Sequence, residues 1–324
     1  MTFQPLRGAV VPFSATVPTK FAAELDKAAA LAREEKAPAT RRAYRSDFAL
    51  FEAWCRSRGL SALPAAPEAV AAFLASECEA GKSVSTIGRR VAAIRYAHKF
   101  AGYLPPTDDE RVKATVRGIR RKVGVAPKRK APATAKRLIP MAFGASDGLK
   151  GLRDRALLLL GFAGAFRRSE LVALDLAEIE ETEGGLRITI RRSKTDQEGA
   201  GHTIAVVRGS VACPVAALKA WREAAGITSG RLFRSVRKGG KTLGGNLSAH
   251  AVANIVKAQA RAVGLDPAQF AAHSLRAGFC TSAASKGASL FEIMDTTRHR
   301  SVDTLRGYVR DADLFANHAG AGLL

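Results

Sequence analysis

Cysteine is scarce in this chain of 324 residues. The four present, Cys55, Cys78, Cys213 and Cys280, are scattered and form no Cys-x-x-Cys pair. That pattern argues against a disulfide framework and a zinc site, and it suits a reducing compartment, the cytoplasm. Long apolar runs are also missing. The longest, Ala156 to Phe166, is too short to cross a bilayer and reads as a buried core helix, so no membrane association is expected. Residues 1–20 lack the continuous apolar stretch of a signal peptide. The glycine-rich stretch Gly239–Gly245 has no Walker ending and reads as a turn, not a nucleotide site. There is no internal repeat. No carboxylate pair is placed to hold two metals, so neither a metal nor a cofactor is expected.

Acidic residues are in deficit: 29 Asp and Glu face 51 Lys and Arg, a net charge of +22. So large an excess favours a polyanionic partner, with nucleic acid ahead of an acidic membrane surface. Hydrophobic residues make up 47%, enough for globular cores, and the length suggests two domains.

Residues 1–20 carry Pro5, Pro12 and Pro18 without periodicity and read as a flexible N-terminal arm. Residues 21–122 are helical in pattern. Thr40 is the expected N-cap of a helix whose stripe is Tyr44, Phe48, Phe51 and Cys55, with Arg42 and Arg45 off that stripe. Pro67 opens a helix through Val70, Phe73 and Leu74. Another starts near Ser83–Ser85 with Ile87, Val91 and Ile94 inward. Thr86, Arg89 and Arg90 fall on other faces, where they could enter a DNA groove. His98 lies on the apolar stripe and reads as a packed core histidine. Residues 123–137 have the Lys, Arg, Pro and Ala composition of a basic linker. In residues 138–324 a buried helix is expected from Leu152 to Phe166. The alternation of Leu186, Ile188 and Ile190 gives a strand, His202 to Val207 a returning one, and Cys213-Pro214 opens a helix through Trp221. Further helices are expected over about 249–263, 271–286, 288–296 and 301–309, then an apolar tail from Leu314 to Leu324.

The chemistry gathers near the end. His273 and Arg276 are spaced to share one helix face, and His299 and Tyr308 follow. A guanidinium fork grips two phosphate oxygens while an imidazole moves or donates a proton. Tyr308 is then a candidate nucleophile, attacking phosphorus to give a phosphotyrosine. Upstream, Arg167 and Lys194 complete a phosphate-capable set.

In order and neighbours, this set resembles the tyrosine recombinase (phage integrase) family. Arg167 with Ser169, Glu170 and Leu171 matches its first arginine motif, and Lys194 its hairpin lysine. His273-Ser274-Leu275-Arg276 matches the H-x-x-R box, and His299 with Tyr308 the final histidine and nucleophile. Cys213-Pro214-Val215 is also similar to a stretch common in phage integrases. Thr40–Cys55, Pro67–Ile87 and Phe291–Met294 are most similar to Cre-like members. Two positions depart from the pattern: Arg298 stands where many relatives have glycine, and Ala165-Phe166 replaces Gly-Leu.

The resemblance implies a mainly α (α+β) fold: an all-helical core-binding domain and a mostly helical catalytic domain with a small antiparallel sheet, closing as a clamp on duplex DNA. It implies strand exchange through a 3′-phosphotyrosyl intermediate and a Holliday junction, without metal or ATP. The expected assembly is a homotetramer on inverted-repeat DNA sites, with the tail exchanged between protomers, in the bacterial cytoplasm and nucleoid. Arg167 and Arg276 would stabilise charge on the non-bridging oxygens. His273 would take the phenol's proton, Lys194 would protonate the leaving 5′ oxygen and His299 would hydrogen-bond the phosphate. Glu170 would orient His273 or an arginine. Arg42, Arg45, Thr86, Arg89, Arg90 and His250 are the expected DNA contacts. Two rivals are a type IB topoisomerase and a non-catalytic DNA-binding regulator.

Overall fold

The computed structural model describes residues 21–126, 129–144, 146, 148–191, 201–240, 243–299 and 301–312. The expected N-terminal arm, Lys194 and the tail from Leu314 onward lie outside the described residues. The chain divides into two compact units between residues 127 and 128. It is mostly helical, with a three-stranded antiparallel sheet and a two-stranded one, as the sequence suggested in outline.

The first unit is helical throughout its described residues: α1 (Ala22–Arg33), α2 (Pro38–Arg56), α3 (Pro67–Glu79), α4 (Val84–Phe100) and α5 (Glu110–Val123). Helix α2 begins at Pro38 behind Ala37, not at Thr40. Proline fixes the φ of a first helical turn and lacks only a donor that would be unsatisfied there anyway, so the N-cap falls at Ala37, three residues before the expected Thr40. Phe48, Phe51 and Cys55 are buried against Val70, Phe73, Leu74, Ile87 and Ile94, the expected stripes. His98 is buried in this core, its Nδ1 2.8 Å from the Ile94 carbonyl and its Nε2 accepting from the Ala65 N–H at 2.9 Å. Burial pushes its pKa down, which keeps it neutral.

Arg90 corrects the sequence reading. It is buried, ion-paired with Glu77 and 3.9 Å from Asp47, so it cannot enter a groove. Its neighbour Arg89 grips Asp47 through Nε at 2.6 Å but keeps half its side chain exposed. The α4 stripe is wider than its apolar residues suggest, because two carboxylates on facing helices take in a guanidinium. Arg42 and Arg45 are exposed on α2, and Thr86 is half-buried with its hydroxyl 3.0 Å from that of Ser83.

The second unit starts with residues pinned to its own surface. Ala131 N–H donates to the Gln269 carbonyl and Ala133 N–H to that of Ser274, both at 2.8 Å. Helix α6 (Ala135–Phe143) follows, its first three residues inside the stretch whose composition suggested linker. Helix α7 (Leu149–Ala163) carries the apolar run, with Leu157, Leu158 and Leu160 fully buried. It stops three residues short of the expected Phe166, because the chain turns through Gly164 and then Ala165, whose φ is +45°. Helix α8 (Arg168–Ala173) comes next, then strands β1 (Ile179–Thr182), β2 (Gly185–Ile190) and β3 (His202–Val207) in that order across the sheet. Ile190 pairs with His202, and Leu186, Ile188, Ile204 and Val206 face the core. β1 is polar and exposed, which is why alternation did not announce it.

Helix α9 (Pro214–Ala225) buries Trp221, whose indole N–H donates to the Leu232 carbonyl at 3.0 Å. The short pair β4 (Arg234–Val236) and β5 (Leu243–Asn246) makes the glycine-rich stretch partly strand, not turn alone. Helices α10 (Ala249–Ala262), α11 (His273–Ala284), α12 (Leu290–Thr297) and α13 (Val302–Ala312) close the unit.

Candidate active site

Helices α8, α11 and α13 and the turn that ends α12 carry the site. Arg167 is the N-cap residue of α8, and Glu170 reaches back to accept its backbone N–H at 2.9 Å. This is the carboxylate half of a capping box, which explains why an acid three residues after Arg167 starts a helix here. The same carboxylate accepts from Arg167 Nη1 at 2.7 Å through Oε1, and from Arg298 Nη2 at 2.8 Å through Oε2. Glu170 is 4% exposed. Burial works to raise its pKa, but Arg298 and Arg167 outweigh that and hold it below the usual carboxylate range. The side chains that Glu170 meets here, Arg167 and Arg298, are both arginines.

Arg276 comes from the first turn of α11 and is 1% exposed. Its Nη1 donates to the Ala165 carbonyl at 2.7 Å, while Nη2 is buried with no hydrogen-bond partner. Burial, then repulsion from Arg167 and Arg298, pulls its pKa down to about 10. It therefore stays charged at neutral pH, with a donor that meets no acceptor among the described residues. A buried guanidinium N–H left unmatched is costly unless an anion completes it. A phosphate oxygen has the charge and acceptor capacity to do so.

His273 and Tyr308 meet as the spacing suggested. His273 Nε2 lies 2.8 Å from Tyr308 Oη, joining the N-terminus of α11 to α13. Tyr308 packs on the small core of Cys280, Ala284, Ile293 and Leu305. Burial raises the phenol's pKa and Cys280 adds to that, while Arg129 and Arg276 work against it. A phenol so placed needs a base in contact, and an imidazole nitrogen at hydrogen-bond distance is one.

His299 is half-buried at the end of α12. Its Nδ1 is 2.7 Å from Thr297 Oγ1, whose hydroxyl donates to the Ile293 carbonyl at 2.6 Å. One hydroxyl proton cannot serve both, so the imidazole carries its proton on Nδ1 and leaves Nε2 bare. Burial, with Arg276 and Arg167 beside it, pushes its pKa down to about 3.

The structure thus brings together Arg167, Glu170, His273, Arg276, His299 and Tyr308, while Lys194 lies outside the described residues. His250 is exposed in the first turn of α10. Two residues join the site that sequence reasoning did not assign. Arg298 is one, noticed only as a departure from pattern. Arg129 is the other: its guanidinium sits 5.4 Å from the Tyr308 ring centre, where Gly307 leaves room for it. Composition placed Arg129 among linker charges, and only the pinned backbone of residues 131–133 brings it here. Among the described residues no three or more His, Cys, Asp or Glu side chains come together as a metal site, and no helix is long and apolar enough to cross a membrane.

Comparison with known proteins gives a consistent result. The model of the phage integrase family matches residues 135–314, and that of the phage integrase N-terminal SAM-like domain matches residues 28–102. An integrase/recombinase XerD homolog of Selenomonas ruminantium is 38% identical over 292 residues, covering 88% of this chain and 85% of that protein. The Cre recombinase of Escherichia phage P1 is 26% identical over 280 residues, covering 81% and 80%. The Cre-like stretches noted in the sequence therefore sit in a chain that shares more residues with the XerD homolog than with Cre. Among solved structures, a lambda integrase tetramer bound to a Holliday junction superposes with a TM-score of 0.62 at 18% identity, covering 92% of this chain and 79% of that one. XerH bound to a palindromic difH substrate, in a post-cleavage complex, gives 0.56 at 17%, covering 80% and 72%.

Proposed function

The chain belongs to the phage integrase family, the tyrosine recombinases, and from that premise we propose that it is a site-specific DNA recombinase whose nucleophile is Tyr308. Tyr308 Oη bonds to the scissile phosphorus as the bond to the 5′ oxygen breaks, and its proton passes to His273 Nε2. Arg167 and Arg276 hold the non-bridging oxygens, whose charge grows in the transition state; these guanidiniums are already fixed, so little reorganisation is needed there. Lys194 supplies the proton to the departing 5′ oxygen. The resulting 3′-phosphotyrosine keeps the energy of the broken bond, so a 5′ hydroxyl from a second strand can attack it and re-form the backbone with no ATP. His299 enters with Nε2 free of a proton; the phosphate charge beside it raises its proton affinity, and with a proton taken up from solvent it donates a hydrogen bond to a non-bridging oxygen.

The observation that carries this reading is the 2.8 Å contact between His273 Nε2 and Tyr308 Oη, next to a buried guanidinium with an unmatched donor. A relic site in a DNA-binding regulator would have no reason to keep either. Arg42, Arg45, Thr86, Arg89 and His250 remain the proposed DNA contacts. The proposed partner is duplex DNA with inverted repeats, bound by four protomers that exchange C-terminal tails in the cytoplasm. A lambda integrase tetramer on a Holliday junction is among the structures with this fold.

The test is a nicked suicide substrate carrying the inverted repeat found beside the gene. Wild type should form a covalent protein–DNA adduct and Tyr308→Phe none, while binding the same DNA. Absence of an adduct with wild type would favour the regulator instead, and relaxation of supercoiled DNA lacking any specific site would favour the topoisomerase.

A further inference from the structure

Two described residues other than glycine have positive φ, Ala165 at +45° and Arg298 at +57°. Both belong to one spot. Arg298 lies in the left-handed region at the end of α12, where glycine is unstrained and a side chain is not. Its guanidinium nevertheless turns inward and is 6% exposed. Nη1 donates to the Thr296 carbonyl at 3.0 Å and to that of Gly164 at 3.4 Å. Nη2 donates to Glu170 Oε2 at 2.8 Å and to the Ala165 carbonyl at 3.4 Å. Arg298 also sits over the Phe166 ring, 5.6 Å from its centre. Two of its four partners each hold another arginine: Glu170 holds Arg167 and the Ala165 carbonyl holds Arg276.

We propose that Arg298 is a positioning residue for strand cleavage, fixing Arg167 through Glu170 and Arg276 through the Ala165 carbonyl. The αL turn that aims it inward is strained, and strain at a site persists where the surroundings over-determine it. Charge adds a second effect. Three guanidiniums, Arg167, Arg276 and Arg298, share one carboxylate, Glu170, for a net charge of +2. With Oε2 occupied by Arg298, Glu170 meets the Arg167 guanidinium through Oε1 alone, so the rest of that fork is left to the phosphate.

This rests on the phosphoryl-transfer reading above, and the two can fail separately. Adduct formation by wild type tests the reaction; the variants below, compared with an active wild type, test Arg298. Arg298→Gly keeps the turn and removes the guanidinium, so its melting temperature should stay near that of wild type. Its single-turnover cleavage rate at saturating DNA should fall about tenfold to a hundredfold, the scale of a misplaced catalytic group, with DNA affinity little changed. Arg298→Lys, which retains the charge, should recover part of the rate. Imidazole titration by NMR provides a readout apart from activity: loss of the neighbouring cation should move His299 upward in Arg298→Gly. Should the glycine variant fold poorly, Arg298→Asn, whose side chain tolerates the αL region, replaces it. Wild-type cleavage by the folded glycine or asparagine variant would overturn the proposal.

Discussion

At the scale of single residues, the site works by holding charges where water would ordinarily screen them. His299 makes the point testable. Its folded pKa, about 3, lies well below the usual histidine value of 6.5, through burial first and the arginines second. A depressed histidine means the unfolded chain binds the proton more tightly. The stability contributed by a neutral His299 is therefore complete above pH 6.5 and is lost as pH falls from there toward 3. Melting temperature measured from pH 7 to pH 4 should decline, and His299→Gln should flatten that decline; an equal slope in both proteins would remove His299 as its source. Order and spacing singled out Arg167, His273, Arg276, His299 and Tyr308 as a set, and the fold brings them close together. It did not assign Arg298, because that side chain takes its meaning from Glu170, far away in the chain. Nor did it assign Arg129, one basic residue among several until Gly307 admits its guanidinium.

At the scale of elements, close approach of backbones decides what side-chain pattern cannot. Gly278 lies in the middle of α11, where glycine is ordinarily a defect of about 1 kcal/mol. Here a Cβ would fall 2.0 Å from the Ala133 carbonyl oxygen and 2.3 Å from its carbon. Those are main-chain atoms fixed by the bond from Ala133 N–H to Ser274, so they cannot step aside as a side chain could. Gly278→Ala should cost about 2 kcal/mol or more, about 4–8 °C in melting temperature for a unit of this size. A variant melting with wild type would show that the segment before α6 is not held against α11. Helices with an apolar stripe, such as α2 and α9, were legible from their period alone. The early end of α7 was not, because the stop comes from the left-handed turn at Ala165 rather than from a break in the leucine run. Arg90 was misread for a related reason: three residues after Ile87 and four before Ile94 it shares the stripe's face, and its charge argued for solvent until Asp47 and Glu77 on neighbouring helices met it inside.

At the scale of the molecule, a net charge of +22 makes DNA affinity depend on released counterions. A protein touching six to ten phosphates loses roughly 10³–10⁵ in affinity between 50 and 200 mM salt. Binding measured across that range should follow a steep log–log line, and Arg42→Ala or Arg45→Ala should each flatten its slope by about 1. Slopes unchanged in both variants would take α2 out of the DNA interface. The sequence by itself determined the balance of charge, the helical character of both units, the strand pair of Leu186 and His202, and the order of the residues proposed to bind phosphate. These are local or additive properties, set by period, composition and spacing. Only the tertiary structure decided which arginines serve the site and which serve a core. A guanidinium acquires its role from the carboxylate or carbonyl that meets it, and folding brings those partners together from distant parts of the chain.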